Sequence, residues 1–283
     1  MRPRELEDGL NFYLYHPLAW RLAMLLAKTP LTPNMVSVIG GGCVVAAAYA
    51  YTQGGGVWFA LLGMALHTAW HVVDGADGDL ARITGKASPI GELVDGLCDY
   101  VSHIVLYLAL GWLMARDLFG VWAWASWILV VLAGASHIAQ ANHVEVQRRS
   151  YQWWVYGKSW LGLSHGKDNS AARQGFFGAI AAFYLGVAAG MDAGAKRLDA
   201  AILALQDDAA GLEKLRARIR AHMPPLFRLQ RILGPNPRAL ILGVSMLLGG
   251  PIWYFLYQTI VLNLLLVVSV QRHNAAAEGM LGE

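Results

Sequence analysis

Six apolar segments limit what this chain can fold into. Five of them approach the roughly 20 residues that a helix needs to cross the hydrocarbon core of a bilayer. The fifth along the chain is shorter, and a Gly-Gly-Pro turn joins it to the sixth. Hydrophobic residues make up 56% of the chain and charged residues only 14%, which excludes disorder and argues against a soluble globule. The sequence therefore predicts transmembrane helices at residues 35–51, 57–73, 94–115, 118–141, 239–248 and 251–270.

The distribution of lysine and arginine predicts the orientation of these helices. If the N-terminus is cytoplasmic, the outer loops contain one basic residue, Arg116, and the other 21 of the 22 face the cytoplasm, as the positive-inside rule requires. A seventh, weaker apolar segment at 176–191 would move eight basic residues between positions 196 and 231 outside if it crossed. We therefore expect six spans with both termini cytoplasmic. The net charge of +3 gives no reason to expect a nucleic-acid partner.

The expected fold is an all-α integral membrane protein with an N-terminal interfacial helix and a cytoplasmic helical insertion before the last two spans. Leucines at one side of residues 18–28 indicate that interfacial helix. The predicted divisions are an N-terminal segment, four helices that carry the site, the insertion, a final hairpin and a tail, at residues 1–34, 35–141, 142–236, 237–271 and 272–283.

Within the insertion, apolar residues recur at spacings of three and four over residues 198–219, which predicts an amphipathic helix that ends before Pro224-Pro225. Its other face is basic. Two interpretations remain open. The helix packs on the membrane domain as part of a hairpin, or it lies at the membrane surface and binds anionic headgroups or a partner.

Four aspartates are the most informative polar residues. Asp74 and Asp77 lie three apart at the cytoplasmic end of the second span, and Asp95 and Asp99 lie four apart at the start of the third. Both spacings place the two carboxylates on one helix face. Two like charges about 4 Å apart repel by roughly 4 kcal/mol at an effective dielectric near 20, so four together need bound cations or strongly raised pKa values. Oxygen-only ligands favour Mg²⁺ or Mn²⁺, and a pair of such ions is suited to holding a diphosphate.

The residues around these aspartates form a longer pattern, Asp74-x2-Asp77-Gly78-x2-Ala81-Arg82-x8-Gly91-x3-Asp95-x3-Asp99, with eight fixed positions across 26 residues. This pattern resembles, without a departure, the signature of the CDP-alcohol phosphotransferase family of membrane enzymes. The resemblance extends more loosely to Tyr15-His16-Pro17 and Thr32-Pro33-Asn34.

The resemblance implies a role for each matching position. Asp74, Asp77, Asp95 and Asp99 correspond to ligands of two Mg²⁺ or Mn²⁺ ions, and Asp99 also corresponds to the general base. The positions that correspond to CDP-binding residues, or to small residues that let the ligand approach, are Thr32, Pro33, Asn34, Gly78, Ala81, Arg82, Ser88 and Gly91. The resemblance also implies a homodimer.

Further polar residues are candidates for the acceptor site or for supporting the metal ligands. His67 and His71 precede Asp74 on its helix face, and Ser102 and His103 follow Asp99. Glu92 resembles the Gly-Glu-Leu-x-Asp run of the choline and ethanolamine branch, which carries His where Gly96 stands here. Basic candidates are Lys86, Arg148, Arg149 and Lys158. Residues His137, Gln140, Asn142, His143 and Glu145 line an acceptor pocket or only solvate a helix end.

The sequence thus predicts a multi-pass inner-membrane enzyme whose site faces the cytoplasm. Its partners would be a CDP-linked donor, an alcohol acceptor and membrane lipid, and CMP would be released. The favoured donor is CDP-diacylglycerol, because basic residues suit an acidic acceptor, and the alternative is a soluble CDP-alcohol that reacts with a lipid hydroxyl. A divalent-cation transporter and a membrane scaffold built around residues 198–219 are the alternatives from other functional classes.

Overall fold

The chain is helical throughout the part that the computed structural model describes, which is residues 3–54, 56–158, 191 and 193–282; no strand occurs there. The prediction of an all-α fold is confirmed. The helices are α1 His16–Leu26, α2 Pro33–Thr52, α3 Val57–Ile83, α4 Pro89–Met114, α5 Ala123–Tyr156, α6 Ala193–Ala204, α7 Ala209–His222, α8 Phe227–Ile232, α9 Pro235–Leu247, α10 Ile252–Leu256 and α11 Leu262–Gly282. Single π-helical turns at Asn11–Tyr15, Ala115–Phe119 and Tyr257–Val261 precede α1, follow α4 and join α10 to α11.

Among the described residues, four helical stretches are long and apolar enough to cross a membrane: Pro33–Thr52, Ile90–Asp117, Gly120–Tyr156 and Ile252–Gly282. They correspond to the predicted first, third, fourth and sixth spans. The predicted second span lies in α3, which has 27 residues. This helix is long enough to cross, but it also contains the polar residues His67, His71, Asp74 and Asp77, which make it less apolar than the other four. The predicted fifth lies in α9, which has 13 residues. The weaker candidate at 176–191 falls outside the described residues.

Two compact units divide the chain. The first, which we call the carboxylate unit, comprises Glu7–Gly134 and Pro235–Thr259, and the second, the insert unit, comprises Met1–Leu6, Ala135–Gly234 and Ile260–Glu283. All four motif aspartates belong to the carboxylate unit. Helix α5 begins in the carboxylate unit and ends in the insert unit.

The carboxylate unit is built around α2, α3 and α4. Its core contains Val44 and Tyr51 from α2, Trp70 from α3, and Leu106 and Leu110 from α4, each less than a tenth exposed. The first part of α5 and helices α9 and α10 complete this core. Helix α2 packs against both α3 and α4, and so brings the two halves of the aspartate motif within reach of each other.

Helix α1 packs on α3 through small residues. Ala19 and Ala23 are buried with Ala76 and Leu80, and a β-carbon on Gly75 would lie 3.0 Å from the Ala19 β-carbon. Gly75 therefore lets the two helices approach closely. The opposite side of α1 exposes Trp20 and Leu25, which is typical of a helix at a membrane surface.

In the insert unit, the predicted helix over 198–219 is two helices. It breaks between α6 and α7, where the Asp208 side chain accepts a hydrogen bond from the Gly211 amide at 3.0 Å and begins a new helix. Most of the predicted apolar face is nevertheless at least partly buried, and Leu198 and Ile219 belong to the same core as Trp154 of α5. Its basic residues are partly used internally, since Arg216 donates to the Trp154 carbonyl.

Helices α5 and α11 are both longer than the sequence indicated. Helix α5 continues past residue 141 to Tyr156, and α11 continues past residue 270 to Gly282, so the expected C-terminal tail is helical. The extensions carry Tyr151, Trp154 and Met280 into the core of the insert unit. Packing of these side chains stabilises helix beyond the apolar segments.

Candidate active site

The four aspartates of the motif converge between α3 and α4. Carboxylate oxygens of Asp74, Asp95 and Asp99 lie within 4.8 Å of one another. Asp74 is within hydrogen-bonding reach of Asp99, and Asp77 is within reach of Asp95. The spacings of three on α3 and four on α4 turn both pairs toward the same space, as the sequence predicted.

Two hydrogen-bond donors from outside the motif hold this cluster. The Ser37 hydroxyl of α2 donates to Oδ2 of Asp77 at 2.5 Å, and the Trp70 indole Nε1 of α3 donates to Oδ1 of Asp99 at 2.8 Å. Sequence reasoning assigned neither residue. Ser37 is 40 positions from Asp77 and Trp70 is 29 positions from Asp99, so no local pattern relates them.

The donor set of the cluster fits a hard divalent cation. Asp77 is only 4% exposed, and the other three aspartates are half-buried. Both identified donors, a hydroxyl and an indole, are neutral, so neither reduces the negative charge of the carboxylates. Carboxylates crowded in this way are stabilised by a shared cation, and Asp74, Asp95 and Asp99 are close enough to ligate one ion together. Oxygen ligands without sulfur or imidazole are those that Mg²⁺ and Mn²⁺ prefer.

The N-termini of α2 and α4 lie side by side near the cluster. Thr32 caps α2 by accepting from the Met35 amide at 3.4 Å, and Ser88 caps α4 by accepting from the Gly91 amide at 3.0 Å. A β-carbon on Gly91 would lie 3.6 Å from Asn34 Oδ1, so the two caps are adjacent. Pro33 is the first residue of α2. Free amides at helix N-termini favour anions, so this is a suitable place for phosphate oxygens.

The end of α3 carries the basic residue of the motif. The Arg82 guanidinium lies over Gly78, where a β-carbon would be 3.5 Å from Nη1, and donates to Oδ1 of Asp79 at 2.6 Å. The sequence did not identify Asp79 as a partner of Arg82. Past Arg82 the helix closes with the Lys86 amide bonded to the Ala81 carbonyl at 2.9 Å, and Lys86 itself is exposed. Arg82 is mostly exposed and can exchange Asp79 for a phosphate.

Histidine and other aromatic rings pack together next to Asp99. His71 stacks on Tyr15, with ring centroids 5.0 Å apart. His103 Nδ1 lies 2.8 Å from the Asp99 backbone carbonyl, and because a carbonyl only accepts, Nδ1 carries the proton. In the neutral ring this leaves Nε2 as an acceptor. His67 is buried between these rings, at 5.6 Å from His103.

A buried arginine, Arg238 at the start of α9, is a further residue that sequence reasoning missed. It is 4% exposed and within electrostatic range of His103 and of the hydroxyls of Tyr107 and Tyr254. In the sequence, Arg238 directly precedes the predicted span at 239–248 and has the pattern of a basic residue that flanks a transmembrane helix on its cytoplasmic side. A cation at this position could hold a negatively charged group near His103.

A family model described as CDP-alcohol phosphatidyltransferase matches residues 30–202, more than half of the chain. This chain belongs to the CDP-alcohol phosphatidyltransferase family. The resemblance inferred from the motif is confirmed, and so is the prediction that the chain is of an enzyme family rather than a transporter or a scaffold.

Two curated proteins illustrate the similarity. A phosphatidylinositol phosphate synthase of Corynebacterium glutamicum is 28% identical over 91 residues, which are 32% of this chain and 40% of that protein. An archaetidylinositol phosphate synthase of Pyrococcus horikoshii is 33% identical over 99 residues, 34% of this chain and 50% of that protein. The chain therefore matches half or less of the length of each relative.

Some predicted residues are not explained by family membership. Glu92 lies exposed in the first turn of α4, and the space beside Gly96 is open, with nothing within 4 Å of a β-carbon placed there. Arg148 and Arg149 belong to the insert unit, where both pair with Glu145, and Lys158 is exposed in the same unit. Glu92 nevertheless lies within electrostatic range of the Asp95 carboxylate, whereas Arg148, Arg149 and Lys158 belong to the other unit.

Proposed function

We propose that this enzyme transfers a phosphatidyl group, or a similar lipid phosphoryl group, from a CDP-linked lipid to a hydroxyl of a phosphorylated polyol and releases CMP. The observation that supports it best is the convergence of Asp74, Asp77, Asp95 and Asp99 between α3 and α4 in a member of this family. Two Mg²⁺ or Mn²⁺ ions held by these carboxylates would neutralise the pyrophosphate and the charge that develops on the leaving CMP.

The residues of the chain position the donor in this proposal. The adjacent N-termini of α2 and α4, with Thr32, Asn34 and Ser88, offer amide and hydroxyl donors to the CDP phosphates. Arg82 exchanges its bond to Asp79 for a phosphate oxygen, and Gly78 leaves room for that approach. Because the caps at the two helix N-termini are formed before the donor binds, the amides there stabilise developing charge without reorganisation.

Asp99 is the proposed general base. The acceptor hydroxyl oxygen attacks the phosphorus distal to cytidine, its proton passes to Asp99, and the bond from that phosphorus to the bridging oxygen breaks, so that CMP leaves with the electron pair. His103 donates a hydrogen bond from Nδ1 to the Asp99 backbone carbonyl, so its Nε2 points away from that carbonyl. Nε2 is then available to accept a hydrogen bond from a hydroxyl of the substrate that receives the phosphatidyl group.

The acceptor is inferred from the relatives and from Arg238. Both relatives are named for products that contain inositol and a phosphate besides the lipid phosphoryl group. A buried guanidinium close to His103 is well placed to bind a phosphate carried by the acceptor, because planar guanidinium groups match phosphate oxygens. This supports a lipid-linked CDP donor over a soluble CDP-alcohol, for which the main support is the exposed Glu92.

The proposed setting is the inner membrane with six spans, including α3 and α9, and with the site facing the cytoplasm, from which the soluble acceptor arrives. The strong bias of basic residues to one side supports this orientation. The exposed Trp20 and Leu25 of α1 support a position at the membrane surface. A homodimer is the assembly that the family resemblance implies.

The test is an acceptor-dependent release of CMP by the purified protein in nanodiscs. CDP-diacylglycerol is supplied with inositol phosphate, inositol, glycerol phosphate or serine, and CDP-choline and CDP-ethanolamine are supplied with diacylglycerol. We expect CMP only with the lipid donor and a phosphorylated polyol, and none after EDTA. Release from CDP-choline would favour the soluble-donor alternative, and full activity in EDTA would contradict the proposal.

A further inference from the structure

Trp70 is the only described residue whose side chain is bonded to the Asp99 carboxylate by a donor outside the acidic cluster. It lies one helical turn before Asp74 and is 7% exposed. Its indole nitrogen is 2.8 Å from Oδ1 of Asp99. An indole N–H donates and never accepts, so it cannot remove a proton itself. Its effect on a reaction therefore acts through Asp99, the residue to which it is bonded.

The Trp70 ring is fixed on several sides. The edge of His103 lies against it with centroids 4.5 Å apart and planes at 68°, and His71 lies at 4.5 Å on the same helix. On the side of α2, a β-carbon at Gly40 would be 3.6 Å from Cδ1 of the indole, so the backbone of α2 borders the ring. The indole therefore cannot swing away, and its N–H keeps one direction.

The consequence for Asp99 is that its two oxygens differ. Oδ1 accepts from the indole, and the carboxylate also lies within hydrogen-bonding reach of Asp74. Oδ2 is the oxygen that the indole does not bind, and we assign the acceptor proton to it. The Asp99 backbone is held separately, because His103 donates to its carbonyl. A carboxylate fixed at both its backbone and one oxygen presents the other oxygen in a single orientation, which is what efficient proton transfer requires.

We infer that Trp70 is a positioning residue that orients Oδ2 of Asp99 toward the acceptor hydroxyl through its hydrogen bond to Oδ1. The inference rests on the proposed function, since it needs Asp99 to act as the base. It also assigns a role to the neighbouring rings, which hold Trp70 in the orientation that the hydrogen bond requires.

The test compares Trp70→Phe, which keeps an aromatic ring but removes the N–H, with Trp58→Phe as a matched control. Trp58 is also in α3 but is 77% exposed. At saturating Mg²⁺ we expect kcat of Trp70→Phe to fall about 10- to 100-fold while KM for donor and acceptor stays within about twofold. Trp58→Phe should match the wild type in both parameters.

Saturating metal separates the two possible effects of losing this bond. The hydrogen bond from Trp70 could instead help Asp99 only to bind metal. In that case excess Mg²⁺ would restore kcat, and that result would overturn the inference. A kcat equal to that of the wild type would also overturn it. If Trp70→Phe folds poorly, β-(3-benzothienyl)alanine at position 70 replaces only the N–H by sulfur, and the same loss of kcat is expected.

The experiment distinguishes failure of the proposed function from failure of this inference. A wild-type protein that releases no CMP from any donor contradicts the function and this inference together. A wild type that releases CMP, with a Trp70→Phe variant of unchanged kcat, contradicts only the role of Trp70.

Discussion

Two clusters of buried polar side chains, one in each unit, differ in how their hydrogen-bonding groups combine. In the insert unit, Gln140 donates to Asn263 at 2.7 Å, and Asn263 donates to Ser136 at 2.8 Å. Gln230 donates to Nε2 of His273 at 3.1 Å, and Nδ1 of His273 donates to the Ser269 carbonyl at 2.8 Å. Each of these bonds joins a donor to an acceptor, and every group is neutral.

The carboxylate cluster has the opposite character. Asp74, Asp77, Asp95 and Asp99 are acceptors placed against acceptors, and the donors from Ser37 and Trp70 carry no charge. A buried polar network of complementary neutral groups is satisfied by the protein alone. A group of acceptors needs a ligand from outside. The comparison teaches that the balance of donors and acceptors, more than burial, distinguishes a binding site from a structural network.

The largest expected effect comes from removing a carboxylate. Asp99→Asn keeps the shape of the side chain but can no longer accept the acceptor proton, so we expect kcat to fall by about 10³-fold or more. In EDTA the same variant should be as stable as the wild type or more stable, because it removes like-charge repulsion. Activity and thermal unfolding are measured on the same preparation. An active Asp99→Asn would eliminate Asp99 as the base.

Arg238→Gln tests the acceptor phosphate. We expect the preference of kcat/KM for inositol phosphate over inositol to fall about 100-fold, because a buried charged contact is lost. The change should be confined to the phosphorylated acceptor, and KM for the donor should stay the same. Equal losses with both acceptors would show that Arg238 stabilises the fold and does not recognise phosphate.

Ser37→Ala removes the hydroxyl that holds Asp77. The Mg²⁺ concentration for half-maximal activity should rise about 10-fold, since outer partners of metal ligands typically contribute that much to affinity. Saturating Mg²⁺ should restore most of the activity. The matched control is Ser126→Ala in α5, whose hydroxyl binds only the Ala123 carbonyl within its own helix in the hydrogen bonds described.

The smallest effect on activity is expected in the insert unit. Asn263→Leu removes the oxygen that accepts a hydrogen bond from the buried Gln140 side chain and should destabilise the protein by about 1–3 kcal/mol. The double variant Gln140→Leu/Asn263→Leu should recover much of that loss. CMP release per folded molecule should match the wild type in both. A catalytic defect in these variants would contradict the distinction between the two clusters.

Local sequence patterns predicted the features that depend on neighbouring residues. The spacing of the aspartates on α3 and α4 follows from helical geometry, and apolar length indicated the long helices. Thr32 and Ser88 precede Pro33 and Pro89, which is a common way to begin a helix, although the sequence suggested only nucleotide contacts for them. The structure adds that both residues are caps.

The rest depends on packing between distant parts of the chain. The bond from Trp70 to Asp99 and the burial of Arg238 arise from the arrangement of α3, α4 and α9, which no short pattern encodes. The break before α7 depends on a single cap at Asp208, which interrupts an otherwise continuous apolar period. The metal-binding and nucleotide-binding roles of the motif residues stay predictions.

The central claim is that the four aspartates bind divalent cations, and Mn²⁺ binding followed by electron paramagnetic resonance tests it most directly. Free Mn²⁺ is titrated against the purified wild type and against Asp95→Asn, with Asn263→Leu as the control. We predict about two ions bound per wild-type chain, reduced by at least one in Asp95→Asn and unchanged in the control. Equal Mn²⁺ binding by the wild type and Asp95→Asn, or no binding by either, would contradict the account.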